Sequence, residues 1–365
     1  MTPTAKSKTL SGGLRTHGCR LSTAWSYHGA PALILENELL RVTVLTGHGA
    51  HISEFRYKPL DLDVLYHDPS GLLPGQRDPA LPGDYVVGWQ EALPGGGALT
   101  EVRGAPYGAH GELARAVWAQ SVLEDTPQRV SVQLTTRLQT IPLLLEKRLS
   151  LEPGKAVLVL EERLTNEAGI ALQLMWGQRI ALGGPFLEEG AVIDASASQV
   201  IAHEKTDGYA MRRYKPGLGG EWPMLQTPLG DPVDASHIPA HGKAKVEELI
   251  YLTGLQEGWV ALTNSQRQVG FGLSFDPALF RFIWHLEQLG EFRAGFPWWR
   301  RAHYVSLEPW TSFPAQGLEQ AIRNHSALKL GPGEQRYTRL AACIYTGIQR
   351  VAGISPEGEV TPRAN

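Results

Sequence analysis

Residues 143–166 read "LLLEKRLSLEPGKAVLVLEERLTN". Two strand-like runs flank "EPGK", and the Pro153-Gly154 pair suits a tight turn between antiparallel strands. This is the clearest hairpin in the chain. Just upstream, "RVSVQLTTRL" at 129–138 alternates cleanly. Val130, Val132 and Leu134 face one way and Ser131, Gln133 and Thr135 the other, as in a half-buried strand. Downstream, "GWVALTNSQRQVGFGLSFD" at 258–276 repeats the hairpin pattern, with "NSQRQ" at the bend.

The same signals recur along the chain. "LLRVTVLTG", "HISEFRY", "ELARAVWAQSVL", "IALQLMWGQRIAL", "VEELIYLTGL", "LFRFIWHL", "YVSLEPWT" and "YTRLAACIYTGI" all read as strands. Only "GLEQAIRNHSAL" at 317–328 has helical spacing. The 40 glycines and 25 prolines are spread along the chain, which is turn chemistry for many short strands. The pattern predicts an all-β protein, a sandwich or a barrel. Residues 13–353 are expected to form one such domain, with flexible ends at 1–12 and 354–365. The stretch 211–242, rich in Gly and Pro, reads either as a lid or binding loop or as a plain surface insertion.

Composition excludes several classes. The 365 residues carry a net charge of -3, so nothing argues for a nucleic-acid surface. Cys19 and Cys343 make neither a disulfide framework nor a thiolate metal site. The N-terminus has no apolar signal region, and no apolar run approaches the ~18 residues of a membrane span. The expectation is a cytoplasmic protein, with no membrane or nucleic-acid partner, that works as a monomer or homodimer. Walker, G-x-G-x-x-G, G-x-S-x-G and H-E-x-x-H motifs are absent. In "GHGAH", His48 and His51 are three apart, on opposite faces if the segment is a strand, which argues against joint metal ligation.

Three segments carry more chemistry. In "YGAHGELARAVW" (107–118), His110 and Glu112 fall on one face of a strand, and glycines leave room for a ligand. The bland alternative is a structural histidine at a hairpin end. In "YVSLEPWTSFP" (304–314), Tyr304, Ser306 and Glu308 share a face, and Glu308 stands beside Trp310. A carboxylate there suits a general base, or simply caps a turn. In "LMWGQRIALGGPFL" (174–187), Trp176 and Gln178 share one face and Gly177 and Arg179 take the other. Several of the ten tryptophans, among them Trp89, Trp176, Trp222, Trp284 and Trp310, adjoin polar or turn residues. Indole faces beside hydrogen-bonding groups are what a pyranose needs, although tryptophans are also good core residues.

Taken in order, these segments resemble the aldose 1-epimerase (galactose mutarotase-like) superfamily. The phrases that carry the resemblance are "LENELLRVTVLTGHGAHISEFRY", "VGWQEALPGGG" followed by "YGAHGELARAVW", "LMWGQRIALGGPFL", and the C-terminal "YVSLEPWTSFPAQGLEQAIRNHSALKLGPGEQ". They span roughly residues 30–350. The resemblance implies a large antiparallel β-sandwich with a sugar cleft across one sheet, and an isomerase needing no cofactor or metal. In the family a glutamate takes the anomeric hydroxyl proton and a histidine protonates the ring oxygen. By position, Glu308 would be the base and His110 a sugar-binding or charge-stabilising histidine. Gln178, Arg179, Trp89, Glu112, Trp176, Trp222, Trp284, His285 and Trp310 would line the sugar.

The chain also departs from the family. Gln178 stands where the family's acid histidine is expected, with Arg179 beside it, and no "NR" pair precedes the histidine-glycine motif. Glutamine cannot cycle a proton near neutral pH, and arginine stays charged. Three explanations stay open. His110, His285 or His241 supplies the proton; Arg179 recognises an anionic sugar; or the protein binds sugar without turning it over. A lyase or hydrolase on the same scaffold is a further alternative. A retaining hydrolase would need Glu308 and Glu112 about 5–5.5 Å apart.

Overall fold

The Leu143–Leu151 and Val157–Asn166 strands pair antiparallel, bent at Pro153-Gly154. Residue alternation along the second strand is complete. Leu158, Leu160, Glu162 and Leu164 are buried, and their neighbours are half-buried. Each leucine taken from water on that row stabilises the fold by roughly 1.5–3 kcal/mol. In this computed structural model the described residues are 15, 17–27, 29–67, 88–108, 110–188, 190–204, 212–239, 246–289 and 299–364.

The hairpin belongs to an eight-stranded antiparallel sheet. Its order is Ala191–Ala195, Trp259–Asn264, Val269–Ser274, Gln335–Thr346, Val157–Asn166, Leu143–Leu151, Arg129–Arg137 and Ala119–Thr126. A twelve-stranded antiparallel sheet packs against it. That sheet runs from Arg20–Tyr27 through Ala30–Glu36, Leu40–Leu45 and His51–Tyr57 to Trp89–Ala92. It continues through Gly177–Gly183, Tyr304–Trp310, Phe282–Leu289, Val246–Thr253 and Gln199–Ala202 to Gly219–Glu221. The short Leu62–Asp63 strand pairs with His51–Tyr57 off this path. Leucine, isoleucine, valine and phenylalanine rows from both sheets form one core, in which Phe55 of the larger sheet meets Phe271 of the smaller edge to face. This is the expected all-β sandwich. One short α-helix, Leu318–Arg323, occurs among the described residues, within the segment read as helical. No helix among them is long and apolar enough to cross a membrane.

Four local expectations need correction. "ELARAVWAQSVL" is not one strand: a short 3-10 turn at Leu113–Arg115 precedes the Ala119–Thr126 strand. "IALQLMWGQRIAL" is broken at Met175-Trp176 between the Leu172–Leu174 and Gly177–Gly183 strands. Residues 354–365 were expected as a flexible end. Instead Val351–Ile354 pairs with Val360–Pro362 in a hairpin, and Val351 and Ile354 are buried in a small core with Trp259 and Tyr345 of the smaller sheet. The 212–239 part of the stretch read as a long loop carries three short strands. It adds the edge strand Gly219–Glu221 and the Met224–Gln226/Pro232–Asp234 hairpin, and it bonds the edge of the smaller sheet through Ile193 N–H and the Ser236 carbonyl. Tyr214 from this segment is fully buried in the main core. The segment therefore closes one side of the sandwich.

Candidate functional site

Three adjacent strands of the larger sheet build the site: Trp89–Ala92, Gly177–Gly183 and Tyr304–Trp310. Their register sets Arg179 opposite Gln90 and Gly177 opposite Trp310. Side chains alternate across the sheet. Val305 and Leu307 enter the sandwich core, so Ser306, Glu308 and Trp310 take the outer face. By the same alternation Ile180 and Leu182 point inward and Arg179 outward.

Glu308 is nearly buried, at 4% exposure. Ser306 Oγ donates to its Oε1 at 2.8 Å, and Trp310 Nε1 donates to its Oε2 at 3.0 Å. Arg179 Nε lies 3.5 Å from the same Oε2. The guanidinium also donates to Gln90 Oε1 at 3.1 Å and to His110 Nδ1 at 2.7 Å. A guanidinium has no acceptor, so the imidazole nitrogen facing it carries no proton. Burial, then the Arg179 charge, hold the His110 pKa well below its ordinary value. His110 comes to Arg179 on a turn, not on a strand. Gly111 has φ +67° there, and a Cβ on it would strike the Leu93 carbonyl, so only glycine lets the turn lie this close.

Aromatic rings flank the carboxylate. Trp284 stacks on Trp310 with centroids 4.1 Å apart. The Trp310 indole lies so close over Gly177 that a Cβ would overlap it. Tyr251 meets Trp284 edge to face, accepts from Ala315 N–H at 3.0 Å and shares a hydrogen bond with His203 at 2.5 Å. Burial pushes the Tyr251 and Tyr304 hydroxyls well above the usual phenol range, so both stay protonated donors. His51 is buried nearby, and burial followed by the His48 charge depresses its pKa well below 6.5. His48 and His51 were expected on opposite faces. Their rings touch edge to face at 5.0 Å, because His48 sits in the turn before the strand.

A second polar cluster lies on the other side of the same strands, between the sheets. Gln178 is 0% exposed. It accepts from Trp89 Nε1 at 2.7 Å and donates to Glu162 Oε2 at 3.1 Å. Glu91 accepts from Trp176 Nε1 and from Lys147 Nζ, each at 2.5 Å, and Lys147 also lies 3.2 Å from Glu162. Burial and the Glu91 charge raise the Glu162 pKa to about 8. Burial alone would lower Lys147, but the two carboxylates outweigh it and hold the ammonium above its ordinary pKa.

Of the residues expected to meet a sugar, His110, Arg179, Glu308, Trp284 and Trp310 are brought together. Gln178, Trp89 and Trp176 are placed instead in the inter-sheet core, facing away from Glu308. His285 is also on the inner face, opposite Leu307, where it bonds the Ser306 carbonyl and neighbours Glu287. Glu112 accepts backbone N–H groups of Gln139 and Thr140, which ties down that loop. Trp222 follows the edge strand of the sheet, four strands from Glu308, roughly 19 Å by strand spacing. His241 lies outside the described residues. Gln90, Tyr251 and His51 were not foreseen at the site. The signal for Gln90 was present: strand alternation in "GWQEA" opposes it to Trp89 and Glu91, but only the register says which of them faces Arg179.

No protein-family model matches the sequence, and no curated protein matches it. Solved structures do. A provisionally named aldose 1-epimerase from Klebsiella pneumoniae superposes with a TM-score of 0.68 at 15% identity, over 89% of this chain and 83% of that one. A galactose mutarotase-like protein from Clostridium acetobutylicum gives 0.61 at 12% identity, over 90% and 99%. A galactose mutarotase related enzyme from Lactobacillus acidophilus gives 0.56 at 15%, over 86% and 97%. At such identities the likeness is one of fold: the chain has the galactose mutarotase-like β-sandwich.

Proposed function

We propose that this protein acts on the anomeric centre of an aldose or sugar derivative, interconverting its anomers. The observation that carries the reading is the pairing of Glu308 with Arg179 on the outer face, beside stacked Trp284 and Trp310. Glu308 accepts the C1 hydroxyl proton as the C1=O bond forms and the bond from C1 to the ring oxygen breaks. Arg179 stabilises the negative charge that gathers on the ring oxygen, which takes its proton from water. Rotation about the bond from C1 to C2 and reclosure give the other anomer. Glu308 already neutralises the Arg179 charge at 3.5 Å, which favours a neutral sugar over an anionic one. No metal or cofactor enters the scheme.

The test is anomer exchange followed by polarimetry or saturation-transfer NMR over a panel of aldoses. Glu308→Gln is expected to lower the exchange rate by about 10²–10⁴-fold while sugar still binds. An unchanged rate removes Glu308 as the base. A second reading, sugar binding without turnover, draws on the unprotonated His110, which has no acidic proton to give at Nδ1. Sugar binding by calorimetry with exchange no faster than in buffer would favour it.

A further inference from the structure

A cavity of about 290 Å³ opens on the same sheet face, over the N-terminal strands. From the Leu40–Leu45 strand beneath it to the Tyr304–Trp310 strand is four strand steps, roughly 19 Å. A single ring bound in it does not reach Glu308.

Two β-bulges shape this cavity. One breaks the register of the Arg20–Tyr27 strand between Ser22 and Trp25, after which Trp25 stands opposite Ala32. The small partner leaves space beside the indole, which is 55% exposed. The other bulge lies in the His51–Tyr57 strand, where Thr43 pairs with Glu54 and Val44 with Ile52. Ser53 is the extra residue, and it joins Glu54 in lining the cavity. Bulges re-aim side chains, and here both aim them into one hollow.

The polar wall is built in layers. Glu54 receives Arg56 Nε at 2.7 Å and Thr43 Oγ1 at 2.6 Å, and Arg41 Nε lies 3.3 Å from it. Asp61 neutralises the far side of Arg56 at 2.7 Å. Asp63 is nearly buried and accepts the backbone N–H groups of Phe55 and Leu65, each at 3.1 Å. Its other oxygen bonds His67 Nε2 at 2.8 Å, which fixes the imidazole at the rim. Each cation therefore has its own carboxylate, and no charge is left over to recognise a phosphate or uronate. What remains is a fixed array of donors and acceptors next to an open indole face.

We propose that this cavity is a second carbohydrate site, which takes one neutral pyranose unit. The ring stacks its C–H face on Trp25, and its hydroxyls exchange hydrogen bonds with the Arg41–Glu54–Arg56 array and His67. The volume, just under the usual range for drug-sized ligands, suits a single sugar ring. The assignment is independent of any chemistry at Glu308.

The test uses the full chain with ¹⁵N-labelled indoles. Trp25→Phe identifies the Trp25 resonance by its disappearance. Glucose, galactose, maltotriose and cellotriose are titrated into the millimolar range, with glucuronate and inorganic phosphate as anionic probes. At least one neutral sugar is expected to shift the Trp25 indole. Trp25→Ala, at an exposed position, is expected to weaken that binding by about tenfold, and Trp25→Phe to restore most of it. Glu308→Gln is expected to leave the affinity within about twofold, because the sites lie some four strands apart. A Trp25 resonance unmoved by every neutral sugar overturns the proposal. So does a shift with glucuronate or phosphate alone, or an affinity unchanged in Trp25→Ala.

Discussion

Gln178 and Arg179 are consecutive residues of one strand, and Glu91 and Gln90 are their respective partners on the next. Gln178 and Glu91 join Lys147 and Glu162 between the sheets. Arg179 and Gln90 join Glu308 and His110 on the outer face. Both clusters combine a cation, at least one carboxylate and at least one tryptophan N–H group, yet they are suited to different work. The inner one is closed on itself, with every member buried, and one lysine lies between two acidic side chains, Glu91 and Glu162. The outer one ends in a nearly buried carboxylate beside stacked indoles. A single step along a β-strand separates a polar core from a candidate site.

Removing a charge should separate the two most sharply. Lys147→Met leaves Glu91 and Glu162 without their cation and is expected to cost about 3–5 kcal/mol in denaturant-induced unfolding. Arg179→Gln should cost less, about 1.5–3 kcal/mol, because Ser306 and Trp310 still hold Glu308. If the two costs are equal, the division into a structural and a functional cluster fails. Arg179→Gln should also let the His110 pKa rise toward 6.5, read from its ring-proton shifts in an NMR titration.

The clusters should also give opposite pH slopes. His51 and His110 resist protonation when folded but accept protons near 6.5 when unfolded. Their contribution to stability is therefore lost as pH falls below 6.5. Glu162 titrates near 8 when folded, against an ordinary value of 4.5. The folded state holds the extra proton between these values, so this contribution falls as pH rises through that window. Each group adds a slope of up to about 1.4 kcal/mol per pH unit. Glu162→Gln should remove the fall in stability between 4.5 and about 8, which is seen unopposed above 6.5, and His51→Gln with His110→Gln should remove the loss below 6.5. A Glu162→Gln variant with an unchanged fall above 6.5 would show that Glu162 is ionised at neutral pH.

The strand pattern was legible because apolar alternation is a local signal. It placed Glu308 with Ser306 and Tyr304, and it separated Gln178 from Arg179. The same alternation holds Lys147 and Glu162 in rows of leucines, in "LLLEKRLSL" and "VLVLEERL". That was the sign of a buried ion pair, and it passes easily for an exposed charge on a hairpin. Trp89 and Trp176 were read as pocket residues because an indole is chemically suited to a sugar, and Gln178 because it falls where the resembled family has its acid histidine. Alternation says which residues share a face, but not which face meets the other sheet.

The sequence by itself determined most of the strands, the all-β class and the division of each strand into two faces. These follow from side-chain period and turn chemistry, which act over a few residues. The tertiary structure alone decided which face is the core. It set Lys147 against Glu91 across the sheets and brought His110 to Arg179 on a glycine turn, and it moved His285 away from Glu308 despite their neighbouring strands. Those pairings link residues tens of positions apart, and they depend on register and sheet packing, for which a local pattern carries no information.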